Sequence, residues 1–114
     1  MYERITVTGN VGKAEVLTSR QGNKYVRLSV AVNRPAPSAP SGKVTVWYSV
    51  LLYSGLAKEP EKIVERYTPG RIVLAEGRPQ NSAFIRKDGT ADLENCIIAS
   101  MMPELLDRRP APSK

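Results

Sequence analysis

The run Thr45-Val46-Trp47-Tyr48-Ser49-Val50-Leu51-Leu52-Tyr53 constrains the fold of this chain more than any other stretch. It is too β-branched and aromatic to prefer a helix, so it reads as a strand. Side chains in a strand alternate between faces, which puts Trp47, Ser49, Leu51 and Tyr53 on one side. Val46, Tyr48, Val50 and Leu52 take the other side and form a candidate core face. The single Trp of the chain and a Tyr are thereby set apart from the aliphatic row. If their face is open, they form a platform for flat ring systems; if it is covered, they are core. The run by itself supports both readings.

A clear alternation recurs one element earlier. Val26, Leu28, Val30 and Val32 share one face, and Arg27, Ser29 and Ala31 share the other. Upstream, Ile5-Thr6-Val7-Thr8 alternates and then meets Gly9-Asn10-Val11-Gly12. Glycines beside a short strand mark a bulge or a sharp bend, as at a barrel corner. Residues 15–18 continue that strand, and Gln21-Gly22-Asn23 is a turn. Residues 34–42 carry Pro35, Pro37 and Pro40, a composition for an extended loop that pairs with nothing.

Residues 57–67 are the one helix candidate. Pro60 stands near its start, where a missing amide proton costs least. Ile63, Val64 and Tyr67 form its apolar face, and Pro69-Gly70 stops it. A fourth strand is expected over residues 72–77, ending at Gly77-Arg78-Pro79. Lys87-Asp88-Gly89-Thr90 reads as a hairpin turn, and residues 93–99 as the last strand. The expected architecture is all-β: five short strands with one short helix between the third and fourth. Periodicity supports a small barrel or sandwich, and the element order is that of the OB-fold, a Greek-key barrel. Residues 1–102 form the expected domain. Residues 103–114, with Pro103, Pro110 and Pro112 among Arg108, Arg109 and Lys114, are expected to be a flexible basic tail.

Charge narrows the partners. Seventeen Lys and Arg stand against eleven Asp and Glu, a net charge of +6 over 114 residues. That balance favours a polyanion: nucleic acid first, an anionic membrane surface second. There is no histidine, which removes the usual general base and the commonest zinc ligand. The lone Cys96 excludes an intrachain disulfide and lies in an apolar run, the setting of a buried, inert thiol. No apolar stretch approaches the roughly 20 residues of a membrane span, so a soluble, cytoplasmic, nucleoid-associated protein without membrane partners is expected. The closest carboxylates, Asp88, Asp92 and Glu94, surround a hairpin turn where Asp is common anyway. The residues therefore point away from an enzyme and from any metal or cofactor.

Several segments carry a family pattern. Ile5-Thr-Val-Thr-Gly-Asn-Val-Gly12 resembles the opening strand of bacterial single-stranded DNA-binding proteins. Tyr25-Val-Arg-Leu-Ser-Val-Ala-Val-Asn33 is similar to their second strand. Thr45-x-Trp47, then Val50-Leu51-Leu52-Tyr53 and Leu56-Ala57, is similar to their third strand and the approach to the helix. Tyr67-x-x-Gly70-x-x-Val73-x-x-Glu76-Gly77 resembles a further family segment. The likeness runs in one order over roughly residues 4–101. It implies a sequence-tolerant protein that coats and protects single strands in replication, recombination or repair. It also implies a homo-oligomer, tetramer before dimer, and base stacking at Trp47, Tyr53 and Phe84. Two departures stand out. Residues 36–40 offer no further stacking aromatic, and the acidic tip that recruits other proteins has no counterpart, since the chain ends Arg-Arg-Pro-Ala-Pro-Ser-Lys.

Phe84, flanked by Asn81, Ser82, Arg86 and Lys87, is in poor company for a core residue and reads as a base contact. Tyr25 and Tyr48 divide evenly between base contact and burial or an oligomer contact. Arg27 shares a face with Ser29 and Ala31 and is placed to meet phosphates. Lys24, Arg34, Lys43, Arg78, Arg86 and Lys87 flank the loops, each equally a phosphate contact or a solvated charge. Stacking platforms accept RNA as well as DNA. The competing reading is an OB-fold module in a primosome or mobile element that works through protein contacts.

Overall fold

Fourteen residues of one strand, β1 (Ile5–Thr18), organise the barrel by belonging to two pairings. The computed structural model describes residues 3–53, 55–85, 89 and 91–107, leaving out the side chains of residues 82–85 and 91–93. Residues 5–10 of β1 pair antiparallel with β4 (Ile72–Ile85), and residues 10–18 with β2 (Lys24–Pro35). The changeover needs glycine. A Cβ on Gly9 would lie 2.3 Å from the Ala31 carbonyl oxygen, so only a residue without one allows the backbones so close. Gly12 is the extra residue of a bulge between Val11 and Lys13, which bends the strand at the expected corner.

The remaining pairings close the ring. β2 runs antiparallel to β3 (Lys43–Leu52), and residues 48–51 of β3 run parallel to residues 95–98 of β5 (Ala91–Ala99). β5 runs antiparallel to β4, which returns to β1. This is the expected five-stranded OB-fold barrel. The helix α1 (Pro60–Arg66) lies between β3 and β4 and packs against β1 and β2. It is shorter than the 57–67 window, because Pro60 occupies its first turn and Tyr67 is already its C-cap.

Inside the ring, Val26, Leu28, Val30, Val50, Leu52, Val73, Ala75 and Ile97 are fully buried. Ile63 and Tyr67 plug one end, with the Tyr67 hydroxyl donating to the Pro103 carbonyl at 2.6 Å. Tyr48 belongs to this core at 7% exposure, which decides its reading in favour of burial.

Two boundaries differ from the expected ones. β4 does not stop at Gly77 but continues through Pro79 to Ile85, paired with β5 throughout. Its pairing with β1 ends at Gly77, so Pro79 has a free edge on one side, where its missing N–H is tolerated. The segment after Met102 is docked as far as Asp107. A short β6 (Glu104–Leu105) pairs with residues 73 and 74, Leu106 N–H donates to the Ile72 carbonyl, and Arg71 Nε bonds both oxygens of Asp107 at 3.0 Å. A buried Pro103 carbonyl receiving a buried phenol anchors this turn in a way that composition hides. Among the described residues, no helix is long and apolar enough to cross a membrane.

Candidate nucleic-acid interface

Register places the second face of the β2–β3 ribbon on the outside of the barrel. Along β2 its row is Tyr25, Arg27, Ser29, Ala31 and Asn33; along β3 it is Lys43, Thr45, Trp47, Ser49 and Leu51. Ala31 stands opposite Trp47 and Ser29 opposite Ser49, so the indole has small neighbours and rises above them. Beneath it lies the Gly12 bulge. A Cβ there would come within 2.6 Å of the Trp47 ring; the missing side chain gives the indole its seat. Trp47 remains 54% exposed.

The second aromatic station is just past the end of β3. Tyr53 is 44% exposed, and its ring meets that of Tyr25 at 5.3 Å between centroids, tilted by 41°. Such tilted pairs are favourable. Tyr25 therefore props Tyr53 from the neighbouring strand, a supporting role that sequence spacing did not single out. The polypeptide turns away here, with the amides of Leu56 and Ala57 donating to the Tyr53 carbonyl at 2.8 Å. Six residues of extended chain put the two stations about 20 Å apart.

The basic residues divide. Lys43 and Arg78 are exposed, and among the described residues neither side chain is tied to a partner. Lys13, from β1, joins this outer row beside Glu15 at 3.7 Å, an addition that the sequence reading missed. Arg27 sits in the middle of the face, paired with Glu94 of β5 at 3.1 Å. Lys24 is drawn off to the helix, 3.2 Å from Glu61, whose carboxyl is lowered by a backbone hydrogen bond and then by Lys24. Arg34 leaves the face as well: its guanidinium donates to the Tyr48 hydroxyl and lies 5.9 Å from that ring's centroid. Parity explains both departures, since positions 24 and 34 belong to the core-side row of β2. Phe84 pairs through its backbone with Asp92 in the β4–β5 ribbon, while its side chain lies outside the description. Arg86 and Lys87 lie outside the described residues.

Cys96 is buried next to this face, opposite Ser49. Burial pushes its thiol up, and the nearby Glu94 carboxylate adds to the effect. A thiol raised in this way is a poor nucleophile, as the apolar run around it led one to expect.

The model of the single-strand binding protein family matches residues 2–104. The chain belongs to that family. Membership carries single-stranded DNA binding, and the family is not one of enzymes. No curated protein sequence matches the chain. Among solved structures, it is similar to the SSB of Plasmodium falciparum in complex with ssDNA, with a TM-score of 0.67 and 19% identity over 94% of this chain and 96% of that one. It is also similar to a small single-stranded DNA-binding protein of Streptomyces coelicolor (TM-score 0.67, 18% identity, 90% and 93% covered). The mitochondrial single-stranded DNA-binding protein of S. cerevisiae gives 0.59 and 23% identity over 96% and 99%. At these identities the likeness establishes the barrel and leaves side-chain roles to this chain's own geometry.

Proposed function

We propose that the outer face of β2, β3 and β5 holds single-stranded DNA by stacking bases on Trp47 and on Tyr53 backed by Tyr25. Phe84 is proposed as a third stacking residue. Lys43, Arg78 and Lys13 meet phosphates, and Arg86 and Lys87 are proposed to extend that set. Arg27 contributes through its pair with Glu94 rather than as a free cation, and Lys24 and Arg34 act mainly within the fold. The observation that carries this reading is the exposure of Trp47 and Tyr53 directly beside the buried Tyr48 and Leu52. Stacking of this kind is worth about 1–3 kcal/mol per base and tolerates any base, because every base has a π-face.

Such binding suits a protein that coats exposed strands during replication, recombination or repair. The proposed unit is a homo-oligomer, tetramer before dimer. Ile72, Met101 and Leu106 support it as exposed apolar residues away from the stacking row; light scattering that gives a monomer at micromolar concentration removes it. Competition between a labelled single strand and unlabelled blunt duplex tests the binding mode. The single strand should win by a wide margin, since the described residues form no helix shaped for the major groove. Equal competition by duplex overturns the stacking interface and favours a protein-contact module.

A further inference from the structure

Midway between the two aromatic stations, the outer face carries a polar cluster that stacking does not use. Ser49 Oγ donates to Glu94 Oε1 at 2.9 Å, and Arg27 Nη2 lies 3.1 Å from the same oxygen. Three strands therefore contribute one residue each, at the centre of the face. Arg27 Nε is buried without a hydrogen-bond partner among the described residues. That nitrogen is closed off from the surface, so a ligand on the sheet meets the guanidinium through its terminal nitrogens, the side chain being 37% exposed.

A carboxylate in the middle of a polyanion-binding face also needs a reason. Glu94 repels any phosphate that approaches and cancels Arg27 as a free cation, so for binding phosphate it is a liability. Its side chain is nevertheless 35% exposed, open to whatever lies on the sheet. A carboxylate has about four acceptor sites. Ser49, Arg27 and the adjacent Cys96 thiol engage three at most. Lys43, Arg78 and Lys13 stand at the margins of the face, so on the proposed path the phosphates follow the margins and the bases lie over Glu94. Cytosine presents an amine donor there, where thymine presents a carbonyl oxygen. An acceptor beside guanidinium donors is the complement of cytosine's edge, which sets ring acceptors next to its amine.

We propose that Glu94 is a specificity-determining residue of the strand-binding face. It accepts the exocyclic amine of a base lying between Trp47 and Tyr53, while Arg27 donates to the neighbouring ring acceptors. The face thereby favours cytosine over thymine at this one position. The result is a bias in composition rather than a recognised motif. The inference rests on the proposed function, because it requires that the strand lie on this face.

The test compares oligo-dC with oligo-dT, each about 12 nucleotides long, binding to the full chain at mildly alkaline pH by fluorescence anisotropy. Glu94→Gln removes the charge and offers a donor as well as an acceptor. The dC-to-dT affinity ratio should fall about fivefold to tenfold, chiefly because dT binds more tightly. Ser49→Ala, which removes a donor that holds Glu94 Oε1 in place without altering the carboxylate's charge, should loosen its aim and move the ratio in the same direction by less. It also carries the test should Glu94→Gln fail to fold. A ratio left unchanged overturns the proposal, whether both affinities rise together through lost repulsion or fall together through lost structure. Failure of the unmodified chain to bind either oligonucleotide overturns the proposed function with it. Binding of both at a ratio that neither substitution shifts sinks this inference alone.

Discussion

The β2–β3 ribbon has an inner and an outer face made from alternate residues of the same two strands. On the inner face, Val26, Leu28, Val30, Tyr48, Val50 and Leu52 are all buried to 7% exposure or less, in an unbroken apolar row. On the outer face, Trp47 and Tyr53 keep about half their surface, separated by the Ser49–Glu94–Arg27 cluster. Trp47 and Tyr48 are adjacent in the chain, yet among the described residues one is the most exposed large ring and the other part of the core. Parity, rather than side-chain chemistry, assigns the two roles. The inner row stabilises the fold by excluding water. The outer row does little for packing and presents its rings to a ligand.

The sharpest way to break this contrast is to truncate one residue from each face. Leu28→Ala opens a cavity in a fully buried site and should cost about 2–5 kcal/mol of stability by denaturant unfolding. Strand affinity measured on the folded fraction should be unaffected. Trp47→Ala or Tyr53→Ala should do the reverse, weakening single-strand binding by about 1–3 kcal/mol while the melting temperature barely moves. If Trp47→Ala melts as early as Leu28→Ala, the two faces are not functionally distinct.

Smaller changes sharpen the picture. Gly12→Ala leaves Trp47 in place but pushes its ring off the bulge, and should lose part of the affinity that Trp47→Ala loses. Arg78→Ala should reduce the steepness of log affinity against log salt by about 0.7, the value for one phosphate on a single strand. An unchanged slope excludes Arg78 from the phosphate path.

The smallest effect is expected at the β6 end of the barrel. Burial pushes the Asp107 carboxyl up, but the Arg71 hydrogen bond and charge and the Ile72 backbone hydrogen bond outweigh it and leave it below the ordinary range. A carboxylate depressed in the folded state contributes stability above its unfolded pKa and loses it as pH falls through the folded one. Asp107→Asn should therefore lower the melting temperature slightly at neutral pH and converge with the unmodified chain in acid. A difference that persists undiminished in acid assigns Asp107 a role other than this ion pair.

Much of this was legible because β-strand parity is written into the sequence. The alternation at residues 26–32 and 46–52 separates core from interface residue by residue, and Gly9 and Gly12 mark the corner. The same rule, applied to Lys24 and Arg34, places them on the core-side row, where the structure ties them to Glu61 and Tyr48. Proximity to loops was the weaker guide. Other features depend on contacts between distant segments and leave no local trace. The Tyr25–Tyr53 pair, the Ser49–Glu94–Arg27 cluster and the docking of residues 103–107 each join strands that only the closed barrel brings together. Composition marked that last segment as a tail, because Pro103 looks like a breaker until its carbonyl is seen to receive Tyr67.

Trp47 is the chain's only tryptophan, so its emission reports on the stacking face without labels or substitutions. Titrating the full chain with oligo-dT while following both anisotropy of the oligonucleotide and Trp47 fluorescence is the most direct check. Base stacking on the exposed indole should quench the emission in step with binding, and saturating blunt duplex should leave it unchanged. Tight binding by anisotropy with Trp47 emission undisturbed would show that strands lie elsewhere on the barrel.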